Sequence, residues 1–373
     1  MTPETEESQV RVVQSARVVL RRQLVGTRQN RVGSPMNRRE FIKLGLGAAA
    51  AVVSGAPKAL SAAATNVRHP RSERGEAMSE SKTPGVRGYL LHLTHYDPSW
   101  FGKKSEEKPF DLDVGLEIVA ALEEERFNLL AVDCADAVQY ESHPELARHY
   151  TVPMEKLERL AVSARDHGLD VVPKLNFSRS CHHHHNDWML GLDEQWDHHF
   201  DDDAYWQKAF ELIDELVAVC RPKQFFHVGM DEDHDRSYTQ YIAAIERLRS
   251  GLNERNLRTV IWNDTAINYP VGHIHYEKSL IAEKEISKDI VQILWDYHSV
   301  PAEAVGRIRE RGFELWGAPG SHDRAQARKF RDTVLGHGGT GLFMTTWSHC
   351  NDPNRQWLLN GIREMGPVYR GEE

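Results

Sequence analysis

Two adjacent carboxylates, Asp231 and Glu232, are the side chains of this sequence best suited to transfer a proton. They end the segment 226–232, which reads Phe-His-Val-Gly-Met-Asp-Glu, and its apolar start is typical of a buried strand. Neighbouring carboxylates repel each other, so one of them tends to keep its proton near neutral pH, as a general acid must. We therefore predict that Asp231 and Glu232 form a catalytic pair; the alternative is a pair of solvated carboxylates in a loop.

Polar and aromatic side chains also follow the other short apolar runs of the chain. In a closed barrel of parallel strands, the residues at the carboxyl ends of the strands surround one common site. The residues at these ends are His92, His95, Asp133, Asp136, Asn176, Asn263, Asp264, Asp296, Tyr297, Trp316, Ser348 and His349. We predict that His92, His95, Asp136, Asn176, Tyr297, Trp316 and His349 bind the substrate.

Eight apolar runs alternate with amphipathic stretches and predict the elements that position these residues. The predicted strands are Gly88–Leu93, Asn128–Asp133, Asp170–Asn176, Gln224–Gly229, Arg258–Asn263, Ile290–Trp295, Phe313–Gly317 and Gly341–Trp347. Helical periodicity is clearest in Met154–His167, Ala204–Cys220 and Tyr238–Leu252. Eight strand–helix units predict an α/β fold, a single (β/α)8 barrel over residues 86–373, with a doubly wound open sheet as the alternative.

The segment 226–232 resembles the hallmark of the family 20 glycoside hydrolases, the β-N-acetylhexosaminidase group, which reads His-x-Gly-Gly-Asp-Glu at the same place. The likeness covers the chain from Arg87 to the C-terminal helix and does not include the α+β domain that usually precedes the family's barrel. The other residues that carry it are Arg87-Gly88, Asn128, Asp136, the segment 168–173 (Gly-Leu-Asp-Val-Val-Pro), Trp262, Trp295 and Trp347-Ser348.

The resemblance implies cleavage of a glycosidic bond assisted by the substrate. In the family, the 2-acetamido oxygen of the sugar attacks the anomeric carbon. By this likeness Asp231 orients the acetamido group, while Glu232 protonates the leaving oxygen and later activates water. The likeness also adds four residues to the predicted substrate-binding set, namely His227, Trp262, Trp295 and Trp347; the indole rings would form apolar walls against the sugar.

The sequence departs from the family pattern at several strand ends. His92 and His95 replace an aspartate and an arginine, Asp133 replaces a histidine, Lys174 and Asn176 replace a glutamate and an aspartate, Trp316 replaces a tyrosine and His349 replaces a glutamate. The missing tyrosine is the one that holds the acetamide oxygen in the family. Tyr297, which follows the sixth predicted strand, is the nearest candidate to take its place.

A run of histidines, His182 to His185, lies in the segment 181–187 after the third predicted strand. Histidine binds zinc, copper and iron well, so this run together with His92, His95 or Asp133 could build a metal site. A polar loop is the simpler interpretation. We therefore predict no metal and no cofactor, and we keep a metal-dependent hydrolase on the same barrel as an alternative function.

Residues 1–64 have the features of an N-terminal extension followed by a twin-arginine signal peptide. Arg38-Arg39 precedes an apolar stretch from Leu44 to about Ala56, and small residues follow at 59–64. Met36 stands directly before this signal and is the predicted start. Residues 65–85 are predicted to be a linker. We expect a periplasmic or secreted protein that uses the twin-arginine export machinery and has no stable membrane anchor.

The charge of the chain limits the partners to consider. The formal net charge is −9, which disfavours nucleic acids and anionic membranes because both attract basic surfaces. The four cysteines have no disulfide-framework spacing. We predict a glycosidase acting on a carbohydrate substrate, with a non-catalytic carbohydrate-binding protein as a further alternative.

Overall fold

The computed structural model describes residues 83–95, 104–179, 201–266 and 274–372. The predicted signal peptide, most of the predicted linker and the histidine run 182–185 lie outside these residues.

Eight parallel strands close into a barrel in the order of the sequence. The strands are β1 Val86–His92, β2 Leu129–Asp133, β3 Asp170–Lys174, β4 Phe225–His227, β5 Arg258–Asn263, β6 Val291–Trp295, β7 Leu315–Ala318 and β8 Gly341–His349. Each strand is hydrogen-bonded to the next, and β8 pairs with β1 to complete the ring. The prediction of a single (β/α)8 barrel is confirmed.

An α-helix follows every strand. Among the described residues the helices are α1 Leu112–Glu124, α2 Met154–Asp166, α3 Asp203–Cys220, α4 Tyr238–Glu254, α5 Ile274–Glu285, α6 Ala302–Glu310, α7 Arg324–Gly336 and α8 Arg355–Tyr369. Side chains cap several helix starts: Asp111 accepts from two backbone N–H groups of α1, and Ser237 forms a capping box with Gln240 at α4.

Apolar side chains form two separate cores. The larger core lies between the strands and the surrounding helices and includes Val119, Leu160 and Leu216. The smaller core fills the inside of the barrel. Its twelve buried members are Leu90, Leu129, Ala131, Val172, Phe225, Val260, Trp262, Val291, Ile293, Trp316, Ala318 and Phe343. The barrel is therefore a packed interior, and only its carboxyl end is left for a site.

The inward-facing positions of the first three strands become polar at their carboxyl ends. Side chains alternate in direction along a strand, so Ala131 and Asp133 point to the same side of β2, as Val172 and Lys174 do on β3. Asp133 and Lys174 are both buried, and their side chains meet at 2.7 Å. The apolar interior thus gives way to charged groups at the end where the predicted catalytic residues lie.

Three of the four cysteines, Cys134, Cys220 and Cys350, are buried thiols without a disulfide. Within the described part of the chain, no helix is both long enough and apolar enough to cross a membrane.

Candidate active site

The predicted catalytic pair lies on a tight turn at the carboxyl end of β4. Gly229, Met230 and Glu232 all have positive φ angles, of 70°, 72° and 48°. Such angles are uncommon outside glycine, and their clustering is typical of functional turns held by surrounding structure. Two hydrogen bonds hold the turn. The backbone N–H of Trp262 donates to the Gly229 carbonyl at 2.9 Å, and the Tyr241 hydroxyl donates to the Met230 carbonyl at 2.8 Å.

Asn176, just beyond β3, fixes the carboxylate of Asp231. Its Nδ2 donates to Asp231 Oδ1 at 2.7 Å, while its Oδ1 accepts from the backbone N–H of Ser178 at 2.9 Å. These partners set which end of the amide faces the carboxylate. The Ser178 hydroxyl also donates to the Asp231 carbonyl at 2.5 Å. Asp231 is thereby held by both its backbone and its side chain.

Gly229 allows Asn176 to approach the turn this closely. A Cβ atom at Gly229 would lie 2.3 Å from Asn176 Cγ, far inside any real contact. The close packing and the left-handed backbone both require glycine at this position. The glycine is therefore part of the arrangement that holds Asp231.

A third carboxyl group, Asp264, stands directly after β5 and fixes Glu232. Its Oδ2 accepts from the Glu232 backbone N–H at 2.9 Å, and its Oδ1 accepts from Trp295 Nε1 at 2.9 Å. Burial, followed by the nearby charge of Asp231, raises the pKa of Asp264 well above its ordinary value. The sequence pattern predicts Asp264 at a strand end, and it does not indicate this contact with Glu232.

Tyr297 lies beside the carboxylate pair, after β6. Trp347 Nε1 donates to the Tyr297 hydroxyl at 2.8 Å. Burial raises the pKa of Tyr297; hydrogen bonds with Thr345 and Trp347 oppose this rise, and the charges of Asp231 and Glu232 add to it. The phenol therefore stays protonated and able to donate a hydrogen bond across the physiological pH range.

The three predicted tryptophans differ in exposure. Trp295 and Trp347 are half-buried, whereas Trp262 is 1% exposed and packs behind Trp347 with ring centroids 5.8 Å apart. Trp347 sits on an irregularity of β8, where the pairing with β1 shifts and φ is 53°. Such irregularities redirect a side chain next to a site. Of these three tryptophans, Trp295 and Trp347 thus have accessible indole surface.

His92, Asp133 and Lys174 form a buried chain of polar contacts next to the pair. Asp133 Oδ2 accepts from Lys174 Nζ at 2.7 Å and lies 3.1 Å from His92 Nδ1. Burial lowers the pKa of His92, and the hydrogen bond with Asp133 only partly opposes it. Burial would raise the pKa of Asp133, but the charge and hydrogen bond of Lys174 together with those of His92 outweigh it and hold that pKa low. His92 is consequently neutral at pH 7, and its ring stacks on Trp347 at 5.1 Å.

His227, the last residue of β4, points into the barrel. Its Nδ1 accepts from the Gly229 backbone N–H at 3.0 Å, which places the ring proton on Nε2. Burial and then the charge of Lys174 lower the pKa of His227 well below its usual value. Among the described residues, His227 Nε2 and the nearby Trp262 Nε1 have no hydrogen-bond partner. His227 Nε2 and Trp262 Nε1 are thus two buried N–H donors, on rings whose centroids are 4.8 Å apart.

Two of the predicted substrate-binding residues, Trp316 and Asp136, are fully buried. Trp316 was expected at the carboxyl end of β7, but it is the second residue of that strand and 1% exposed. Its ring packs 5.1 Å from Phe225, the first residue of β4, so it fills the amino-terminal layer of the barrel. Asp136 is also buried, and its carboxylate accepts a hydrogen bond from Tyr150 and lies 3.8 Å from Arg148.

His95 and His349 meet where β1 and β8 end. Their ring centroids are 4.6 Å apart, and both rings contact Glu107, a residue that sequence reasoning did not select. Glu107 lies in a polar connection without periodicity, so only the folded chain reveals its position.

A buried ion cluster contacts the segment that follows the turn after β4. Asp233 accepts from Arg236 Nη1 at 2.7 Å, from Lys278 Nζ at 2.9 Å and from the Arg179 backbone N–H at 2.8 Å. Arg236 also donates to the Phe177 carbonyl at 2.7 Å. The cluster joins the segments after β3 and β4 to α5, and sequence reasoning did not find it.

No protein-family model and no curated protein matches this sequence. The fold does match solved structures. A Vibrio harveyi family 20 exo-β-N-acetylglucosaminidase in complex with N-acetylglucosamine aligns with a TM-score of 0.55, 12% identity and coverage of 78% of this chain and 55% of that one. A mutant Streptomyces plicatus β-hexosaminidase in complex with N-acetylglucosamine gives 0.57, 13%, 76% and 64%. Dispersin B gives 0.51, 14%, 77% and 99%.

The chain therefore spans only 55% and 64% of the Vibrio and Streptomyces proteins. At such low identity the likeness establishes the fold alone: this chain has a (β/α)8 barrel of the kind found in family 20 β-hexosaminidases.

Proposed function

We propose that the chain is a glycoside hydrolase in which Glu232 is the general acid. The observation that carries this proposal is the turn after β4, where Asn176 holds the carboxylate of Asp231 and Asp264 holds the backbone of Glu232. Cleavage of a glycoside needs an acid for the leaving oxygen and a group that stabilises the positive charge developing on the sugar. Two adjacent, separately positioned carboxylates can supply both.

The surroundings of the pair suit a sugar. Trp295 and Trp347 offer partly exposed indole faces that can pack against apolar C–H groups. The carboxylates of the pair can accept hydrogen bonds from sugar hydroxyl groups. These features favour a carbohydrate over a purely apolar or an anionic substrate.

A 2-acetamido sugar is the substrate class that we propose, cleaved with assistance from its own acetamido group. Asp231 would orient the acetamido N–H and stabilise the charge that develops on the nitrogen. Tyr297, kept protonated by its surroundings, would donate to the acetamide oxygen. The likeness to structures that contain N-acetylglucosamine supports this choice.

A panel of chromogenic glycosides with and without a 2-acetamido group tests the proposal. We expect turnover of a 2-acetamido glycoside and little turnover of its 2-hydroxy counterpart. Ready cleavage of the 2-hydroxy sugar would exclude assistance by the acetamido group while keeping the glycosidase proposal. Binding without turnover of any glycoside would indicate a carbohydrate-binding protein instead.

A thiazoline mimic of the cyclised intermediate tests the role of Asp231 directly. The mimic should inhibit the parent protein strongly and the Asp231→Asn variant weakly, because its ring nitrogen resembles the charged acetamido nitrogen. The variant should lose turnover more than substrate affinity, since the charge develops only in the transition state. Equal inhibition of both proteins would overturn this role.

We further propose that the protein acts outside the cytoplasm, after export by the twin-arginine machinery. The paired Arg38-Arg39 followed by an apolar stretch and small residues supports this proposal.

A further inference from the structure

A cluster of two histidines and one glutamate lies where the barrel closes. His349 is the last residue of β8, His95 follows β1, and Glu107 follows the short 3-10 helix Lys104–Glu106. Glu107 and His349 are buried, whereas His95 is half-buried. The three residues come from distant parts of the sequence, so their meeting is a product of the fold.

The polar atoms of this cluster converge closely. Glu107 Oε1 lies 2.5 Å from His95 Nδ1 and 3.4 Å from His349 Nδ1, and one ligand atom from each residue lies within 4.8 Å of the others. The His95 backbone N–H donates to Glu107 Oε2 at 3.2 Å, which fixes the orientation of the carboxylate. Both imidazoles therefore turn the same nitrogen toward one carboxylate oxygen.

Asn351 favours a proton-free Nδ1 on His349. Its amide nitrogen lies 3.1 Å from that Nδ1, and its amide oxygen accepts from the Asn354 backbone N–H at 3.0 Å. The second contact sets the amide orientation, so a donor faces His349 Nδ1. An imidazole nitrogen without a proton is the form that binds a metal ion. Its one lone pair would pass from the Asn351 donor to the metal, so the Asn351 contact must break when the ion binds.

We propose that His95, Glu107 and His349 bind a divalent first-row transition metal ion, with Zn²⁺ the best match. Two imidazole nitrogens and one carboxylate oxygen suit zinc or iron and do not suit Mg²⁺ or Ca²⁺, which prefer oxygen ligands. Zinc bonds of this kind place tetrahedral ligand atoms about 3.3 Å apart. The 3.4 Å contact of His349 with Glu107 matches this spacing, and the 2.5 Å contact of His95 must open by roughly 0.8 Å.

Three protein ligands leave a fourth position for water or a substrate oxygen. The cluster lies at the same end of the barrel as the candidate active site, because His349 is paired with His92 between β8 and β1. Metal binding by this cluster stands independently of the proposed glycosidase activity.

Metal titration of the purified, chelator-treated full chain tests this inference. We expect one equivalent of Zn²⁺ by calorimetry, the visible absorption of tetrahedral Co²⁺, and no competition from Mg²⁺. Loss of a residue that only contacts a metal ligand costs about 10–100-fold in metal affinity. Glu107 and His349 are proposed as direct ligands, so Glu107→Gln and His349→Asn should each weaken Zn²⁺ binding by more than about 100-fold. The matched control is His143→Ala, because His143 also contacts two glutamates, Glu145 and Glu211, but at the surface.

Circular dichroism should show that each variant is folded. If the substitutions of the buried Glu107 and His349 unfold the chain, His95→Gln replaces them, because the His95 side chain is 17% exposed. Equal Zn²⁺ affinity in the parent and in these variants would overturn the proposal. So would a loss of binding only when His182 to His185 are replaced by asparagine, since the ion would then be held by the histidine run.

Discussion

The proposed acid role of Glu232 makes a prediction about leaving groups. Glu232→Gln keeps the shape of the side chain but cannot deliver a proton. General acid catalysis contributes about 10²–10⁴-fold, so turnover of a glycoside with a poor leaving group should fall by that range. A glycoside with a very acidic phenol as leaving group should lose far less, because it departs without protonation. Equal losses on both substrates would indicate a defect in folding or binding.

Gly229→Ala tests whether the packing of Asn176 against the turn positions Asp231. The added methyl group would stand 2.3 Å from Asn176 Cγ and would displace the amide that donates to Asp231. Misplacement by about 1 Å can cost about 10²-fold in turnover, so we expect kcat to fall by that order while substrate affinity changes less.

The matched control is Gly168→Ala. Gly168 has a similar φ of 78°, but a Cβ atom there meets nothing within 4 Å. Both variants carry the backbone strain of a left-handed alanine, about 1–2 kcal/mol, so both should melt earlier than the parent. Only Gly229→Ala should lose turnover. Comparable kcat values in the two variants would separate Asn176 from the function of Asp231.

At the scale of elements, the ion cluster around Asp233 should make the stability of the turn after β4 sensitive to substitution. Asp233→Ala would leave Arg236 and Lys278 buried without this partner, and loss of one member of a buried pair costs ~3–5 kcal/mol. Chemical denaturation should therefore show a loss of that size. Asp289→Ala is the control, because the Asp289–Arg249 pair is partly exposed and should contribute only ~0.2–1 kcal/mol.

The same cluster predicts how stability changes in acid. Burial would raise the pKa of Asp233, but the charges of Arg236 and Lys278 outweigh it and lower that pKa. A carboxylate with a lowered pKa in the folded state stabilises the fold above its unfolded pKa of about 3.9 and loses this contribution as pH falls through the folded value. The stability difference between the parent and Asp233→Ala should thus be constant near neutral pH and shrink below about pH 4. A difference that persisted in strong acid would contradict this.

The pattern of the sequence predicts the strands well, and their ends less well. Alternating apolar runs identify all eight strands, because each must be buried on both faces. The predicted β4, Gln224–Gly229, is longer than the observed Phe225–His227, since Gly229 and Met230 adopt left-handed conformations that end the pairing. The predicted end of β4 is therefore wrong at the turn that carries the candidate site. Local periodicity cannot indicate the conformation of such a turn.

The candidate site divides in a similar way. Asp231, Asn176 and Tyr297 follow strands, and the rule that strand ends share one site brings them together. Glu107 and Asp233 lie in connections without a periodic pattern, and only tertiary packing places them. Trp316 shows the converse error: the predicted strand, Phe313–Gly317, begins two residues too early, so an interior residue was placed at its end.

At the scale of the whole molecule, the predicted signal segment makes a prediction about location. Replacing Arg38 and Arg39 by lysine keeps the charge but removes the paired arginines that the export machinery recognises. We expect precursor to accumulate in the cytoplasm, as measured by fractionation and immunoblotting of the full-length chain. Export of the variant at the parent's level would exclude the twin-arginine route.

The pairing of β8 with β1 has a consequence for biosynthesis. His92 and His349 are neighbours in space, yet the ribosome makes them at opposite ends of the barrel sequence. While β8 is still inside the ribosome, the nascent chain has an open sheet edge along β1 and lacks the last residue of the proposed metal cluster. Neither the ring of strands nor that cluster can therefore be completed before β8 has left the ribosome.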